Sequence, residues 1–255
     1  MGRLTDWLLR KGESRTLTLP ASGKAIVLSD LHGHYGDWSS FRRQSQVFER
    51  LEAGEDLYLL ITGDIPDVKR HITVDPTVPE DGDVQIVEDL IAARESLGDR
   101  GARIVYLEGN HDFHVGRIVR EVARWFAFDR GLTPPKDTDR PELVPAQFEA
   151  YCAYYRESYG DAVFDNNIGP YDMVARARPE LVEFLESGPI LAVMEHAGVL
   201  VTHAGPARRA SWKPSNLRKA IDRSNRSRLR LATPEEYYET PYHQLLNNRF
   251  RNRDY

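Results

Sequence analysis

The sequence is poor in cysteine and lacks long apolar runs. Cys152 is the only cysteine among 255 residues, so no intramolecular disulfide can form. In its aromatic surroundings, Tyr151–Tyr155, we expect this thiol to behave as a half-buried apolar group rather than as a nucleophile. No apolar run approaches the roughly 20 residues that a membrane-spanning helix needs, and the first residues do not resemble a signal peptide. These absences predict a cytoplasmic protein with no membrane partner.

Aromatic residues are also scarce in the one strongly basic part of the chain. Residues 206–230 contain nine Lys or Arg and one acidic residue, whereas the whole chain has a net charge of -5. Trp212 is the single aromatic residue of this stretch, and sequence-independent binding of single strands depends on aromatic stacking. We therefore interpret the stretch as a solvated helix face and do not expect a nucleic-acid partner.

Three short apolar runs alternate with two helical patterns in the first half of the chain. The runs Ala25–Leu28, Leu57–Ile61 and Ala102–Leu107 end in polar loops, which is typical of buried strands. The stretches Trp38–Leu51 and Val84–Leu97 place apolar residues on one helical face. The order βαβαβ predicts a parallel sheet, in which all three strand ends meet at one edge.

The second half of the chain predicts helices followed by a pair of strands. Residues 113–187 are interpreted as a helical insertion or cap, which a loop rich in proline and charge interrupts at residues 133–141. The runs Pro189–Met194 and Gly198–Thr202 flank a short turn and predict a hairpin that forms a second layer. With 41% apolar and 29% charged residues, the chain is expected to fold as a single α/β domain over residues 1–255.

Side chains that bind hard metal ions follow the predicted strand ends. The ordered motifs are Asp30-Leu31-His32-Gly33, Gly63-Asp64-Ile65-Pro66-Asp67, Gly109-Asn110-His111-Asp112 and Thr202-His203-Ala204-Gly205. Each motif alone is compatible with an ordinary turn or helix cap. Their joint position at one sheet edge, beside glycines that allow close backbone approach, predicts a metal site.

Two ions held at this edge would suit the hydrolysis of a phosphoester. Such ions, about 3.5 to 4 Å apart, lower the pKa of a bound water and clamp the phosphoryl oxygens. Asp64, with two carboxylate oxygens, is the natural bridge between them. His111 is adjacent to a candidate ligand and is a candidate general acid, with Asp67 accepting its other ring N–H and raising its pKa.

The four motifs resemble the signature blocks of the calcineurin-like metallophosphoesterases, in particular the branch of Ser/Thr phosphoprotein phosphatases and bacterial diadenosine tetraphosphatases. The resemblance implies a four-layer α/β/β/α sandwich with a helical insertion, and two divalent ions, for which we favour manganese over iron or zinc. By position it assigns Asp30, His32 and Asp64 to one ion and Asp64, Asn110 and His203 to the other. It likewise makes His111 the acid and Asp67 its partner.

The sequence departs from this branch after the Gly-Asp block. The phosphatases follow the second aspartate with an arginine that grips the substrate phosphate, whereas Val68 follows Asp67 here. Lys69 and Arg70 are the candidate replacements, and Arg70 has the better fork geometry for a phosphate. We therefore assign Arg70 to substrate binding.

A second departure concerns the last metal ligand. The family closes its site with a later histidine on a further strand, usually after a glycine, and no Gly-His pair follows Gly205. The remaining histidine, His243, lies in a helical pattern rather than at a strand end. We expect that the chain stops before that last element, so that its C-terminal end is incomplete.

The predicted activity is hydrolysis of a phosphomonoester on a protein or a small molecule. An alternative within enzymes is cleavage of dinucleoside polyphosphates, whose additional phosphates the arginines after Gly205 would bind. An alternative outside catalysis is a metal-poor module that binds phosphate or nucleic acid. Manganese-dependent release of phosphate would separate catalysis from binding, and a salt-sensitive association with polynucleotide would favour the binding module.

Overall fold

The computed structural model of the chain describes residues 16–20, 22–67, 79, 81–135, 141, 143–171 and 179–204. Strands in this part of the chain are β1 (Thr16–Thr18), β2 (Lys24–Leu28), β3 (Leu57–Ile61), β4 (Ile104–Tyr106), β5 (Leu191–Met194) and β6 (Val199–Val201). Helices are α1 (Tyr35–Ser45), α2 (Val47–Glu52), α3 (Gly82–Ser96), α4 (Asn110–Asp129), α5 (Pro145–Tyr159), α6 (Asp161–Asn167) and α7 (Pro179–Ser187). Short 3-10 helices span Gly98–Arg103, Gly169–Tyr171 and Glu195–Ala197.

The first three predicted strands form one parallel sheet in the order β2-β3-β4. All five residues of the central strand β3 are buried, because neighbours on both edges and layers on both faces cover it. The ladder continues past the strands, where the Leu107 amide donates to the Ile61 carbonyl at 2.7 Å. The predicted βαβαβ unit is confirmed, and its three strand ends lie at one edge.

The predicted hairpin is confirmed as strands β5 and β6, which pair antiparallel around the turn Glu195–Ala197. They belong to a second three-stranded sheet in the order β1-β5-β6. Strand β1 pairs parallel to β5, and no sequence pattern predicted it. At three residues, β1 is too short to show the alternation that would identify a half-buried strand.

The two sheets pack face to face, and helices cover the other side of the parallel sheet. Alternate residues of β3 separate into two apolar clusters: Tyr58 and Leu60 pack with Ala192 and Met194 of the second sheet, whereas the others pack with the helices. This alternation follows from the two-residue period of a strand. The α/β class is confirmed, and the described residues form three layers, α/β/β. A fourth layer is not seen among the described residues, so the four-layer sandwich stays a prediction.

Helices of the 113–187 stretch pack into the same core as the parallel sheet. Phe148 of α5 and Phe164 of α6 share an apolar cluster with Leu59 of β3, and Cys152 is 2% exposed within it. The thiol is therefore apolar and buried, and more deeply than the half-burial expected. None of the helices in the described ranges is both long and apolar enough to cross a membrane.

The predicted helix Trp38–Leu51 is wrong in one respect, since it is two helices. Gln46 takes a left-handed conformation with φ 49°, which ends α1 and starts α2 in a new direction. The break leaves Trp38, Val47 and Leu51 all fully buried. Burial of these side chains thus overrides the preference of the backbone for one continuous helix.

Candidate metal centre

The loops that follow β2 and β3 are joined along their backbones. The amide of Asp30 donates to Gly63 O at 3.3 Å, and the amides of His32 and Gly33 donate to Asp64 O and Ile65 O, both at 2.9 Å. These bonds extend the parallel pairing beyond the strands. They bring the Asp-x-His motif alongside the Gly-Asp motif and hold the two loops as one unit.

Residues of these loops adopt a backbone conformation that side chains with a β-carbon rarely take. Asp30, His32, Asp64 and Asp67 have φ of 54°, 43°, 56° and 73°. In the described ranges Gln46 is the only other non-glycine residue with positive φ. Left-handed residues of this kind cluster where side chains are aimed at a ligand, because the surrounding structure compensates the strain.

Two glycines allow the loops after β3 and β4 to touch. A β-carbon on Gly63, which has φ 90°, would collide with the backbone of Gly109. A β-carbon on Gly109 would in turn lie 2.7 Å from the Asp64 nitrogen. Glycine at both positions therefore sets how closely Asp64 and Asn110 approach one another.

Asp112 joins these two loops through backbone hydrogen bonds, a role that was not predicted from the sequence. Its Oδ2 accepts from the amides of Asp64 and Gly109, each at 2.8 Å, and its Oδ1 accepts from the Ile65 amide at 3.3 Å. The side chain is completely buried. Burial and the nearby Asp64 charge raise the pKa of Asp112 to about 7. The signal that could have found it is its place three residues after Gly109, the N-cap of α4, where an acidic side chain commonly accepts a hydrogen bond from the N-cap amide.

One group of predicted ligands consists of Asp30, His32 and Asp64. Ligand atoms of Asp30, His32 and Asp64 all lie within 4.8 Å of one another. His32 Nε2 is 3.9 Å from Asp30 Oδ1 and 4.0 Å from Asp64 Oδ2. The side chain of Asp30 is 58% exposed and that of Asp64 only 5%. The group therefore opens to solvent on the Asp30 side.

The other predicted ligands, His203 and Asn110, lie near the same carboxylate. His203 follows the second sheet, and Asn110 begins α4. His203 follows β6, and its Nε2 is 3.1 Å from Asn110 Oδ1 and 3.3 Å from Asp64 Oδ2. Asn110 is the first residue of α4. All five residues predicted to hold metal are thus brought together around Asp64, although they come from four loops and two sheets.

Backbone carbonyls orient both of these imidazole rings. His32 Nδ1 is 3.1 Å from Pro66 O, and His203 Nδ1 is 2.6 Å from Thr62 O. A carbonyl only accepts, so each Nδ1 carries a proton and the neutral ring has its lone pair on Nε2. Each Nε2 faces Asp64. Histidine ligands of metals are commonly oriented by such a bond on the other ring nitrogen.

The electrostatics of the centre favour positive charge. Burial alone would lower the pKa of His203, but the hydrogen bond and charge of Asp64 raise it to about 9. Burial would raise the pKa of Asp64, yet the hydrogen bond to His203 and the charges of His203 and His111 lower it. A carboxylate that stays ionised in a buried place suits a cation. Together with the oxygen and imidazole donors, it fits divalent ions of the first transition series.

The predicted acid pair lies beside the predicted ligands. His111 Nδ1 is 3.1 Å from Asp67 Oδ2, and His111 Nε2 faces Asp64 Oδ2 at 3.7 Å. The backbone amide of His111 donates to Asp64 Oδ1 at 3.0 Å, which anchors the start of α4 to the centre. The ring therefore presents Nε2 to the place where the ligands converge and Nδ1 to the protein.

A further contact of His111 could not be expected from the sequence. The Tyr171 hydroxyl is 2.7 Å from His111 Nδ1, and it reaches the centre from the 3-10 helix Gly169–Tyr171, 60 positions along the chain. No motif marks this tyrosine. Arg70, His243 and the basic stretch 206–230 lie outside the described residues, so their predicted roles are not placed by the structure.

Comparison with known proteins gives a match to a family model. The family model described as calcineurin-like phosphoesterase matches residues 23–229, a range that includes all the residues of the centre. No curated protein and no solved structure matches the chain.

Proposed function

The chain belongs to the calcineurin-like phosphoesterase family, and from this we propose that it is a phosphatase that hydrolyses phosphomonoesters with a pair of divalent ions. The carrying observation is the position of Asp64 Oδ2. It lies 4.0 Å from His32 Nε2 and 3.3 Å from His203 Nε2. One buried carboxylate oxygen between two ligand groups is the arrangement that a bridged pair of ions needs.

In this proposal one ion is held by Asp30, His32 and Asp64, and the other by Asp64, Asn110 and His203. Manganese is the proposed metal, with iron or zinc as alternatives, since mixed carboxylate, amide and imidazole ligands accept all three. When bound, the ions supply an activated water and neutralise the phosphoryl oxygens. The role of the protein is to hold the five ligands at these distances before substrate arrives.

His111 is proposed to protonate the leaving oxygen. Its Nε2 faces the ligand convergence point, and its Nδ1 lies 3.1 Å from Asp67 Oδ2. The carboxylate holds the ring in place and stabilises its protonated form. Both side chains are largely buried, at 15% and 7% exposure, so the pair is screened little by water.

Substrate recognition is proposed to involve basic side chains that follow the metal-binding motifs. Arg70 is the proposed phosphate-binding side chain, and a phosphorylated protein or a small phosphoester is the proposed substrate. Dinucleoside polyphosphates are the second candidate, favoured by the nine Lys and Arg of residues 206–230. The cytoplasmic location and the single domain over residues 1–255 stay predictions.

The test is release of phosphate from p-nitrophenyl phosphate with added manganese. We expect Asp64→Asn and His111→Asn to lose activity by about 100-fold or more, and Asp64→Asn also to lose manganese binding in calorimetry. Asp129→Asn, an exposed carboxylate at the end of α4, is the matched control and should behave as the wild type. A folded wild-type protein that binds manganese, iron or zinc but releases no phosphate would refute the proposal.

A further inference from the structure

We infer that this chain forms a twofold-symmetric dimer through an exposed apolar patch on the helical stretch 113–187, with α4 of one copy facing α5 of the other. The patch consists of Trp125 and Phe128 of α4, Leu132 just after that helix, and Tyr154 of α5. These residues lie outside the four motifs. The inference therefore stands apart from the proposed function, and its partner is a second copy of this chain.

The patch leaves large apolar side chains in contact with water. Phe128 is 87% exposed, Leu132 58% and Tyr154 40%. In the described ranges Phe128 is the most exposed of the large apolar residues. Single exposed apolar residues are common on protein surfaces, whereas a contiguous group with a charged rim is typical of a protein–protein interface. Contiguity therefore decides the interpretation.

The four side chains form one continuous surface across two helices. Phe128 lies three residues after Trp125 on α4, so the two side chains share one face of that helix. The rings of Trp125 and Tyr154 pack with centroids 5.2 Å apart, which joins α4 to α5. The Leu132 amide donates to Ala127 O at 2.7 Å, and this bond folds Leu132 back over the end of α4.

The helices on the two sides of the patch carry opposite charge. Residues 117–130 contain four arginines and two acidic residues, whereas residues 145–167 contain four acidic residues and one arginine. A twofold axis in the plane of the contact sets α4 either against α4 of the second copy or against its α5. The first arrangement opposes arginines to arginines, and the second opposes arginines to carboxylates. Charge complementarity therefore favours the second arrangement.

The size of the patch fits a weak dimer. An aromatic side chain buries about 150 to 250 Å² when it is covered. The exposed parts of Phe128, Leu132 and Tyr154 thus amount to roughly 350 Å² in each copy. Two copies together with their charged rims reach about 1,000 Å², the lower limit of a specific interface. We therefore expect a dissociation constant in the micromolar range.

The test is sedimentation velocity of the full chain at several concentrations. We expect a monomer–dimer equilibrium in the wild type. Phe128→Glu should raise the dissociation constant at least about 100-fold, because a twofold contact contains the residue twice. A wild type that stays monomeric up to about 200 μM would overturn the inference. A dimer that Phe128→Glu leaves intact would overturn it as well.

Val199→Glu is the matched control, because it adds the same charge at an exposed apolar residue away from the patch. Val199 is 44% exposed and lies on β6 of the second sheet. We expect this variant to dimerise as the wild type does. If Val199→Glu dissociates the dimer as much as Phe128→Glu does, net charge or another surface controls association and the inference is wrong.

Salt tests the arrangement of the two copies. If arginines of one copy face carboxylates of the other, screening weakens the dimer. We expect the dissociation constant to rise between about 0.05 and about 0.5 M NaCl. A dissociation constant that falls with salt would contradict the placement of α4 against α5.

A cross-linking measurement locates the contact even if Phe128→Glu fails to fold. Cys152 is 2% exposed, so a bismaleimide should not link two wild-type chains. Leu132→Cys adds an accessible thiol in the patch, and Val199→Cys adds one outside it. We expect the reagent to link Leu132→Cys into dimers and to leave Val199→Cys monomeric. The reverse result would place the contact elsewhere and overturn the inference.

Discussion

Replacing Gly109 with alanine tests whether the close approach of two loops builds the metal centre. A β-carbon at this position would lie 2.7 Å from the Asp64 nitrogen and 2.9 Å from Asp112 Oδ2, and still closer to Asp64 Oδ1. β-Carbons in proteins essentially never come within 3.0 Å of such atoms. The Asp64 nitrogen is part of the backbone and Asp112 Oδ2 belongs to a buried carboxylate, so neither atom can turn away. The two loops must therefore move apart.

The magnitude follows from the bonds that this movement disrupts. Asp112 accepts from the Asp64 and Gly109 amides at 2.8 Å each, and each bond is worth about 1 kcal/mol net. Overpacking of a close-packed site costs about 1 to 3 kcal/mol more. We expect Gly109→Ala to lower the free energy of unfolding by about 3 to 5 kcal/mol in urea denaturation of the metal-free protein, and to weaken manganese binding in calorimetry.

Gly36→Ala is the control for this experiment. Gly36 lies in α1, and a β-carbon there would meet no heavy atom of the described residues within 4 Å. In a helix interior, alanine is more favourable than glycine by up to about 1 kcal/mol. This variant should therefore be at least as stable as the wild type. If Gly109→Ala matched Gly36→Ala in both stability and manganese affinity, the glycine would have no part in shaping the centre.

Without metal, the stability of the protein should depend on pH through His203, whose pKa Asp64 raises to about 9 from an ordinary 6.5. A histidine with a raised pKa contributes its full stabilisation below about pH 6.5, and this stabilisation is lost as the pH rises through about 9. Denaturation at several pH values should show this loss of the free energy of unfolding. A pH dependence of the same shape in His203→Gln would contradict the prediction. Asp89→Ala should lower the free energy of unfolding by about 2 to 3 kcal/mol, because Asp89 Oδ2 accepts from Trp38 Nε1 at 3.0 Å and from Tyr35 at 3.3 Å and pairs with Arg42. A melting temperature as high as that of Asp129→Asn would argue against this bracing of α1 by α3.

The parallel sheet and the edge that carries the centre were predictable from local patterns. Leu57–Ile61 is an unbroken apolar run because the central strand is covered on both faces. The parallel order then requires the strand ends to coincide. From these two steps alone, Asp30, Asp64 and Asn110 were expected to meet, and the structure places them together.

Local patterns were insufficient where burial or a distant partner decides the conformation. The left-handed Gln46 splits a helix whose sequence carries no glycine or proline at that point. Asp112 stood inside a recognised motif, but its three backbone partners come from two loops. Such partners have no fixed spacing in sequence, so their identity cannot be inferred from periodicity.

By itself, the sequence determined which candidate ligands the protein offers, their order along the chain, and their place after buried strands. This was possible because the apolar run of a buried strand and the chemistry of the side chains that follow it can both be recognised from neighbouring residues. Only the tertiary structure decided which partners each imidazole contacts. His32 and His203 meet carbonyls at Nδ1, whereas His111 meets the carboxylate of Asp67 and the hydroxyl of Tyr171, and those partners are set by folding.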